Sequence, residues 1–481
     1  MKKKKEGKKR RTKINVRKLC IEYFFKINMD VGIGIGGMNV EKDEFVDSKF
    51  DLFGKTDYEV GIKKSVSQTF RPLSTTNSNG PFSFLIPSDP DKFTNVESLR
   101  LHGKMRIMKK DVSSNALSNL TTESVAPVNN IFNSLWSSIN TKLNGCEITD
   151  PSSKLYAYKA YFEDHLSYSS STKENGLSYK GHYKDTPNKF DDVGDSVNGT
   201  ASLNDGFLKR KAMFAGSKWV YFCINLHTDI TTLRKYIPPE IKIEMEFQRN
   251  TPEFCLLSDK PAVNYAIELA DMRLKVDRII PSEKIMNFYK KNKQNNLNPR
   301  LPIDRSLLKT YTVTGGRYDL SEYNIITGNQ LPEQVIVAIV DEDAHNGNIA
   351  KNPFHFKDYD LSEASLVVNG IHEPQELYKL NKTLNDNVDM YASFLENTGI
   401  STDDREFGIT MEDYYGGNFI LVWDRTQDKC NRFHRHLSDT GSISINLKTR
   451  TVLPSSVTVI IYATYSKDLI IEGDRVLTAA F

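Results

Sequence analysis

WSSINTKLNGCEI, Trp136 to Ile148, sets Ile139, Thr141 and Leu143 on one face at period two, reaches Asn144-Gly145, and then turns polar and apolar again. Two residues that tolerate a positive φ, set between period-two runs, are the sequence form of a tight β-hairpin. The arrangement returns at EASLVVNGIHEP, Glu363 to Pro374, with Asn369-Gly370 at its centre. Asn144, Gly145, Asn369 and Gly370 are therefore read as structural turns. Their recurrence predicts equivalent hairpins in two related β domains.

Strands extend outward from both turns. PFSFLIP (Pro81 to Pro87), LRLHGKMRI (Leu99 to Ile107), KWVYFCINL (Lys218 to Leu226), IKIEMEF (Ile241 to Phe247) and YAIELADMRLKV (Tyr265 to Val276) all alternate. In IKIEMEF, Ile241, Ile243, Met245 and Phe247 face one way and Lys242, Glu244 and Glu246 the other, so a slip of one residue would expose the whole apolar set. Residues 281–304 turn rich in Lys, Asn and Pro without alternation, and read as an interdomain connection. Strands then resume at SLLKTYTVTG (Ser306 to Gly315), QVIVAIV (Gln334 to Val340), NFILVWD (Asn418 to Asp424), SISINLK (Ser442 to Lys448) and SVTVIIYATY (Ser456 to Tyr465). Irregular turn spacing with long connections favours sandwiches over a propeller or solenoid. LYAYKAYFEDHLSY (Leu155 to Tyr168) has helical spacing, and its aromatics suit packing against a sheet. HEPQELYKLNKTL (His372 to Leu384) is also helix-like. Residues 169–215, polar and rich in Gly, Ser, Asp and Lys, read as an exposed surface loop.

With 481 residues, 39% hydrophobic and 26% charged, the chain is long enough for two or three domains and too apolar to be disordered throughout. No window approaches the run of about 18 apolar residues that a membrane-spanning helix needs, so no membrane span is expected and a soluble intracellular product is. Five cysteines, scattered and without a CxxC pair, indicate reduced structural thiols. Residues 1–18 hold eleven Lys or Arg against one Glu, a charge of +10, which leaves about −7 for the rest of a chain whose total is +3. Lys2, Lys3, Lys4, Lys5, Lys8, Lys9, Arg10 and Arg11 form the densest part of this arm. It reads as a disordered nucleic-acid-binding arm or nuclear address, or else as a solubilising tail or an extension upstream of a start at Met29. VGIGIGGM (Val31 to Met38) lacks both the phosphate-loop Lys-Ser/Thr and the acidic residue of a dinucleotide site, and reads as a linker.

Catalytic chemistry finds no pattern. There is no GxSxG elbow and no HExxH, and the cysteines lack a nucleophile signature. Cys430, His434 and His436 lack a clear fourth zinc ligand. DEDAHNGNIAKNPFHF (Asp341 to Phe356) misses the alternation of a calcium loop and reads as solvated. No catalytic residue, cofactor or metal is expected, and an enzyme is not.

DLFGKTDY (Asp51 to Tyr58), RPLSTTNSNGPFSFLIP (Arg71 to Pro87), PVNNIFNSLWSSINTKLNGCEI, YAYKAYFEDHLSY and HYKDT (His182 to Thr186) occur in this order. In the second half come RNTPEFCLLSD (Arg249 to Asp259), KTYTV (Lys309 to Val313), LPEQVIVAIVDEDAHNGNIAKNPFHF (Leu331 to Phe356), LVVNGIHEP and VIIYATY. This series, over roughly residues 50–470, resembles the major capsid protein of Polinton/Maverick elements and adintoviruses. The resemblance implies an all-β protein of two consecutive eight-stranded antiparallel jelly rolls with long decorating loops and a few short helices, similar in architecture to adenovirus hexon. Together with the charge and composition shifts, this places an arm and linker at 1–45, a first roll at 46–280, the connection at 281–304 and a second roll at 305–481. It further implies a homotrimer forming a pseudo-hexameric capsomer, with neighbouring capsomers, penton and minor capsid proteins as partners. The implied setting is an icosahedral virion assembled inside a eukaryotic host cell, in the nucleus, around double-stranded DNA. The resemblance does not reach residues 1–45; the arm's own charge suits contact with the packaged DNA through counterion release. The rival reading is a β-sandwich protein that recognises glycan or nucleic acid through the 169–215 loop.

Overall fold

The computed structural model describes residues 58–479 other than 74–80, 112, 122, 150–154, 195–201, 261, 381–387, 401–405, 428, 430–434, 438 and 474. The basic arm, the Gly-rich segment, Cys430 and His434 lie outside the described residues. Gly61–Phe481 is one compact unit; of the other, Met1–Val60, only residues 58–60 are described.

The first half runs through β1 (Ile62–Phe70), β2 (Phe82–Ile86), β3 (Phe93–Lys110), β4 (Leu117–Ser118), β5 (Val125–Pro127), β6 (Trp136–Leu143), β7 (Cys146–Glu147), β8 (Val220–Asn225), β9 (Ile243–Arg249), β10 (Leu256–Ser258) and β11 (Asn264–Pro281). The second runs through β12 (Arg300–Val313), β13 (Glu322–Gln330), β14 (Gln334–Asp341), β15 (Leu361–Val368), β16 (Ile371–Lys379), β17 (Ile420–Asp424), β18 (Thr440–Thr449), β19 (Val457–Glu472) and β20 (Arg475–Ala479). One sheet of the first half has the order β1-β11-β3, with β8 and then β4 on the far edge of β3; its companion has the order β2-β9-β6-β7. The second half repeats both, as β12-β19-β14-β17 and β13-β18-β15-β16, with β20 added to β19. Every named pairing is antiparallel. This is the jelly-roll connection pattern, twice in succession.

Side-chain period explains which face each strand buries. In β9, Ile243, Met245 and Phe247 are buried and Glu244 and Glu246 are not, the alternation of a sheet with one covered face. In β14 and the first half of β19 nearly every residue is buried. Both faces of that sheet are covered, and α1 (Tyr156–Ser167) supplies part of the outer cover, over β12 and β19. Phe162 packs on Tyr462 of β19 at 6.2 Å, and the Tyr462 hydroxyl donates to Glu163 at 2.9 Å. A single apolar core therefore passes from one roll into the other.

Three segments differ from their sequence reading. The described residues of 169–215 are not a wholly exposed loop: they contain α2 (Asp205–Phe214) and bury Lys173, Lys180, His182, Asp185, Phe207 and Arg210, while others such as Glu174, Tyr179 and Leu203 stay exposed. Arg210, fully buried, donates to the carbonyls of Pro127 and Tyr183 at 2.8 and 2.9 Å and to Asp185 at 2.6 Å, so polar residues sit inside because they find partners there. The connection after β11 holds an exposed helix, α3 (Glu283–Gln294), with none of its residues buried. The helix-like HEPQELYK is strand β16, an edge strand in which Pro374 can sit without breaking a ladder on both sides.

Candidate functional site: the turns and the seam between the rolls

The two Asn-Gly turns join β6 to β7 and β15 to β16, which are the same places in the two strand orders. Asn144 and Gly145 have φ of 49° and 83°, and Asn369 and Gly370 have 50° and 84°. The Asn144 amide donates to the Lys242 carbonyl at 3.1 Å while its Oδ1 accepts from the Lys242 amide at 2.8 Å. In the second roll the Asn369 amide donates to the Ser442 carbonyl at 3.0 Å, and its Oδ1 accepts from the Ser442 amide at 2.9 Å. Each asparagine thus clamps the turn onto the neighbouring strand as well as supplying the positive φ.

Between the rolls, α1 inserts its aromatics into the 341–356 segment. Tyr161 stacks on Phe354 at 4.4 Å and 7° between planes, and Tyr158 meets Phe354 edge-on at 5.6 Å. His345 stacks on Tyr158, with Nδ1 3.2 Å from the tyrosine hydroxyl. His355 Nδ1 lies 2.6 Å from Asp191. Read from sequence as a solvated loop, this segment instead buries Asn352, Phe354 and Phe356 completely, because the aromatic helix of the first roll needs an apolar floor.

A charged network lies along the other side of α1. His227 faces Glu163 through Nδ1 at 2.7 Å and Asp164 through Nε2 at 3.2 Å. Lys159 pairs with Asp229 and donates to Ser306 of β12 at 2.7 Å. Lys180, fully buried, reaches Asp164 at 3.3 Å. Burial by itself would lower the His227 pKa, but the two carboxylates overcome it and carry it up to about 9. Burial likewise opposes ionisation of Asp164 and Glu163, yet His227, Lys180 and Lys159 hold both below the ordinary carboxylate range. The network is a charge-balanced fastener.

A cavity of about 30 Å³ lies nearby, lined in part by Tyr161, His165, Lys173, His182, Asp185 and Asn418. Neither ring nitrogen of His182 makes a hydrogen bond, and the His165 ring faces Asn418. Burial, then Lys173, pushes His182 down to about 4 and His165 well below its usual value. Lys173 donates to the carbonyls of His165 at 2.5 Å and Phe407 at 2.7 Å, and burial, then Lys184, lowers it to about 7.

Of the residues singled out in the sequence, the structure places the two turns in matching positions, and the arm is outside it. Sequence reasoning missed His227, Lys159, Asp164, Lys180 and Arg210. Lys159 and Asp164 left a trace, being charges set within the apolar repeat of YAYKAYFEDHL. Among the described residues no group of three or more His, Cys, Asp or Glu could hold a metal ion, and no helix is long and apolar enough to cross a membrane.

No protein-family model matches the chain. An uncharacterized protein of Caenorhabditis elegans is 21% identical over 399 residues, covering 81% of this chain and 91% of that protein. Among solved structures, a chain of the Sputnik virophage superposes with TM-score 0.58 at 12% identity, covering 92% of this chain and 93% of its own. The Faustovirus major capsid protein gives 0.54 at 10%, with 87% and 92% covered, and PBCV-1 VP54 gives 0.51 at 11%, with 89% and 100%. The chain has the double jelly-roll fold of viral major capsid proteins.

Proposed function

We propose that the protein is a major capsid protein of the Polinton/Maverick and adintovirus kind. Three copies form a pseudo-hexameric capsomer, and capsomers tile an icosahedral shell around double-stranded DNA. The observation that carries this reading is the repeated strand order of the two rolls, locked by α1 into one unit, in a chain that superposes on the Faustovirus major capsid protein over 87% of its length. Two fixed rolls per chain give six per trimer, a shape that tiles. The basic arm then faces packaged DNA through counterion release. In this role the product belongs to the virion capsid, built in the host nucleus and meeting penton and minor proteins at its edges. The reading as a ligand-binding sandwich is weakened, since Lys173, Lys180, His182, Asp185 and Arg210 of its recognition loop are buried and so are not free to meet a ligand.

Purified protein is expected at three times the 54.8 kDa of one chain, with hexagonal outlines by electron microscopy. Monodisperse monomers at micromolar concentration, without such outlines, would overturn the proposal.

A further inference from the structure

One face of the first roll carries a charge arrangement that folding does not reward. On the outer face of its five-stranded sheet, β3 presents Arg100, His102, Lys104 and Arg106 at alternate positions, and β11 presents Arg273 and Lys275 beside them. The register sets Lys275 directly opposite Arg100, and Arg273 opposite His102. Like charges directly opposite each other weaken a sheet. Lys104 and Arg106 are compensated, by Asp271 at 2.6 Å and Glu268 at 2.5 Å. Arg100, Arg273 and Lys275 are exposed and make no ion pair among the described residues. Two aromatics lie alongside: Tyr221 is 71% exposed, and Trp219 has Arg106 at 4.6 Å and Lys104 at 5.2 Å from its ring. Arg, Trp and Tyr together are the composition of an interface centre.

The second roll has the opposite sign. Residues 305–481 contain 25 Asp or Glu against 16 Lys or Arg, whereas residues 46–304 contain 30 against 35. At the start of β13, an edge strand, Tyr318 and Tyr323 are 56% and 76% exposed. Between them, Asp319 and Glu322 are exposed and make no ion pair among the described residues; Lys448, opposite Asp319, is paired with Glu363 at 3.2 Å, and Arg317 beside Tyr318 is an exposed cation of this edge.

We infer that the basic face of the first roll is one half of an interface whose other half is the acidic, tyrosine-flanked Tyr318–Tyr323 edge of the second roll in a neighbouring copy of this chain. This rests on the capsomer reading and names the surfaces that build it. A contact between two different patches of one chain is heterologous, and it closes into a ring when the rotation permits. Positive and negative rolls then alternate around that ring. A nucleic acid would use the cations of the first face, but it gives no role to a matching acidic edge on the same chain. The tyrosines of that edge also supply ring faces for arginine.

The test measures assembly of the full-length protein by sedimentation over a range of salt. Arg100→Glu with Arg273→Glu is expected to raise the trimer dissociation constant about tenfold or more, and Asp319→Lys with Glu322→Lys to do the same. All four changes together should restore assembly to within about threefold of wild type, the mark of direct pairing. All these positions are exposed, so circular dichroism should be unchanged and will show that each variant folds, while melting should fall only as far as the lost assembly requires. Variants that assemble like wild type at every salt concentration would overturn the interface and leave the trimer intact; a wild type that never assembles sinks both. Loss of duplex DNA retention by the arginine variant, with its mass unchanged, would reassign the face to nucleic acid. Losses that simply add, without rescue, would remove the pairing.

Discussion

Gly145 and Gly370 separate backbone strain from packing. A Cβ placed on either would meet nothing within 4 Å, yet both have φ above 80°. Alanine at either position therefore costs only the left-handed conformation, about 1–2 kcal/mol. Chemical denaturation is expected to show equal losses for Gly145→Ala and Gly370→Ala; a loss at one position alone would mean that the turns are not energetically equivalent. These dipeptides were legible because their chemistry is local. Lys159, Lys180 and His227 were not, because a buried charge is tolerable only through partners far off in sequence, such as Asp229 for Lys159.

At the scale of elements, α1 and the strand ends beside it are held by ionisation. His227 has a raised pKa, so its contribution is complete below its ordinary value of 6.5 and is lost as pH rises through about 9. His182 acts in the opposite sense: kept neutral down to about 4, it contributes above 6.5 and loses that contribution as pH falls toward 4. His227→Gln removes the cation shared by Glu163 and Asp164, leaving them to Lys159 and Lys180, and should cost about 1.5–3 kcal/mol at pH 6. The same change should flatten the decline of stability between pH 6.5 and 9. Urea midpoints across pH would check this, and an unchanged alkaline decline would show that His227 does not drive it. Strands with strict alternation, such as β9, were legible from their period. β1 was not: its sequence IKKSVSQTF leaves most positions exposed and offers little apolar contrast. The burial of Arg210 and Asp185 was hidden for a related reason, since both look like surface residues until they meet.

Across the whole molecule, the continuous core predicts a single cooperative unfolding transition rather than one for each roll. Tyr161→Ala, at the stacked centre of the seam, should lower that transition as a unit by about 3–5 kcal/mol. Two resolved calorimetric transitions in the wild type would show that the rolls melt separately. The two-roll plan could be read from the repeated turns and strand patterns. The seam could not, because it depends on aromatics of one half meeting Phe354 and Phe356 of the other, some 190 residues along the chain. The same strand order also sets a timetable for synthesis. β19 is the partner of both β12 and β14, yet it is made after every other strand of its roll except β20. While the ribosome works through the intervening residues, β12 has no ladder partner and the apolar run of β14 lacks its central neighbour. The newborn second roll must therefore be shielded from aggregation until β19 emerges, which makes chaperone supply and translation speed determinants of how much protein reaches its folded state.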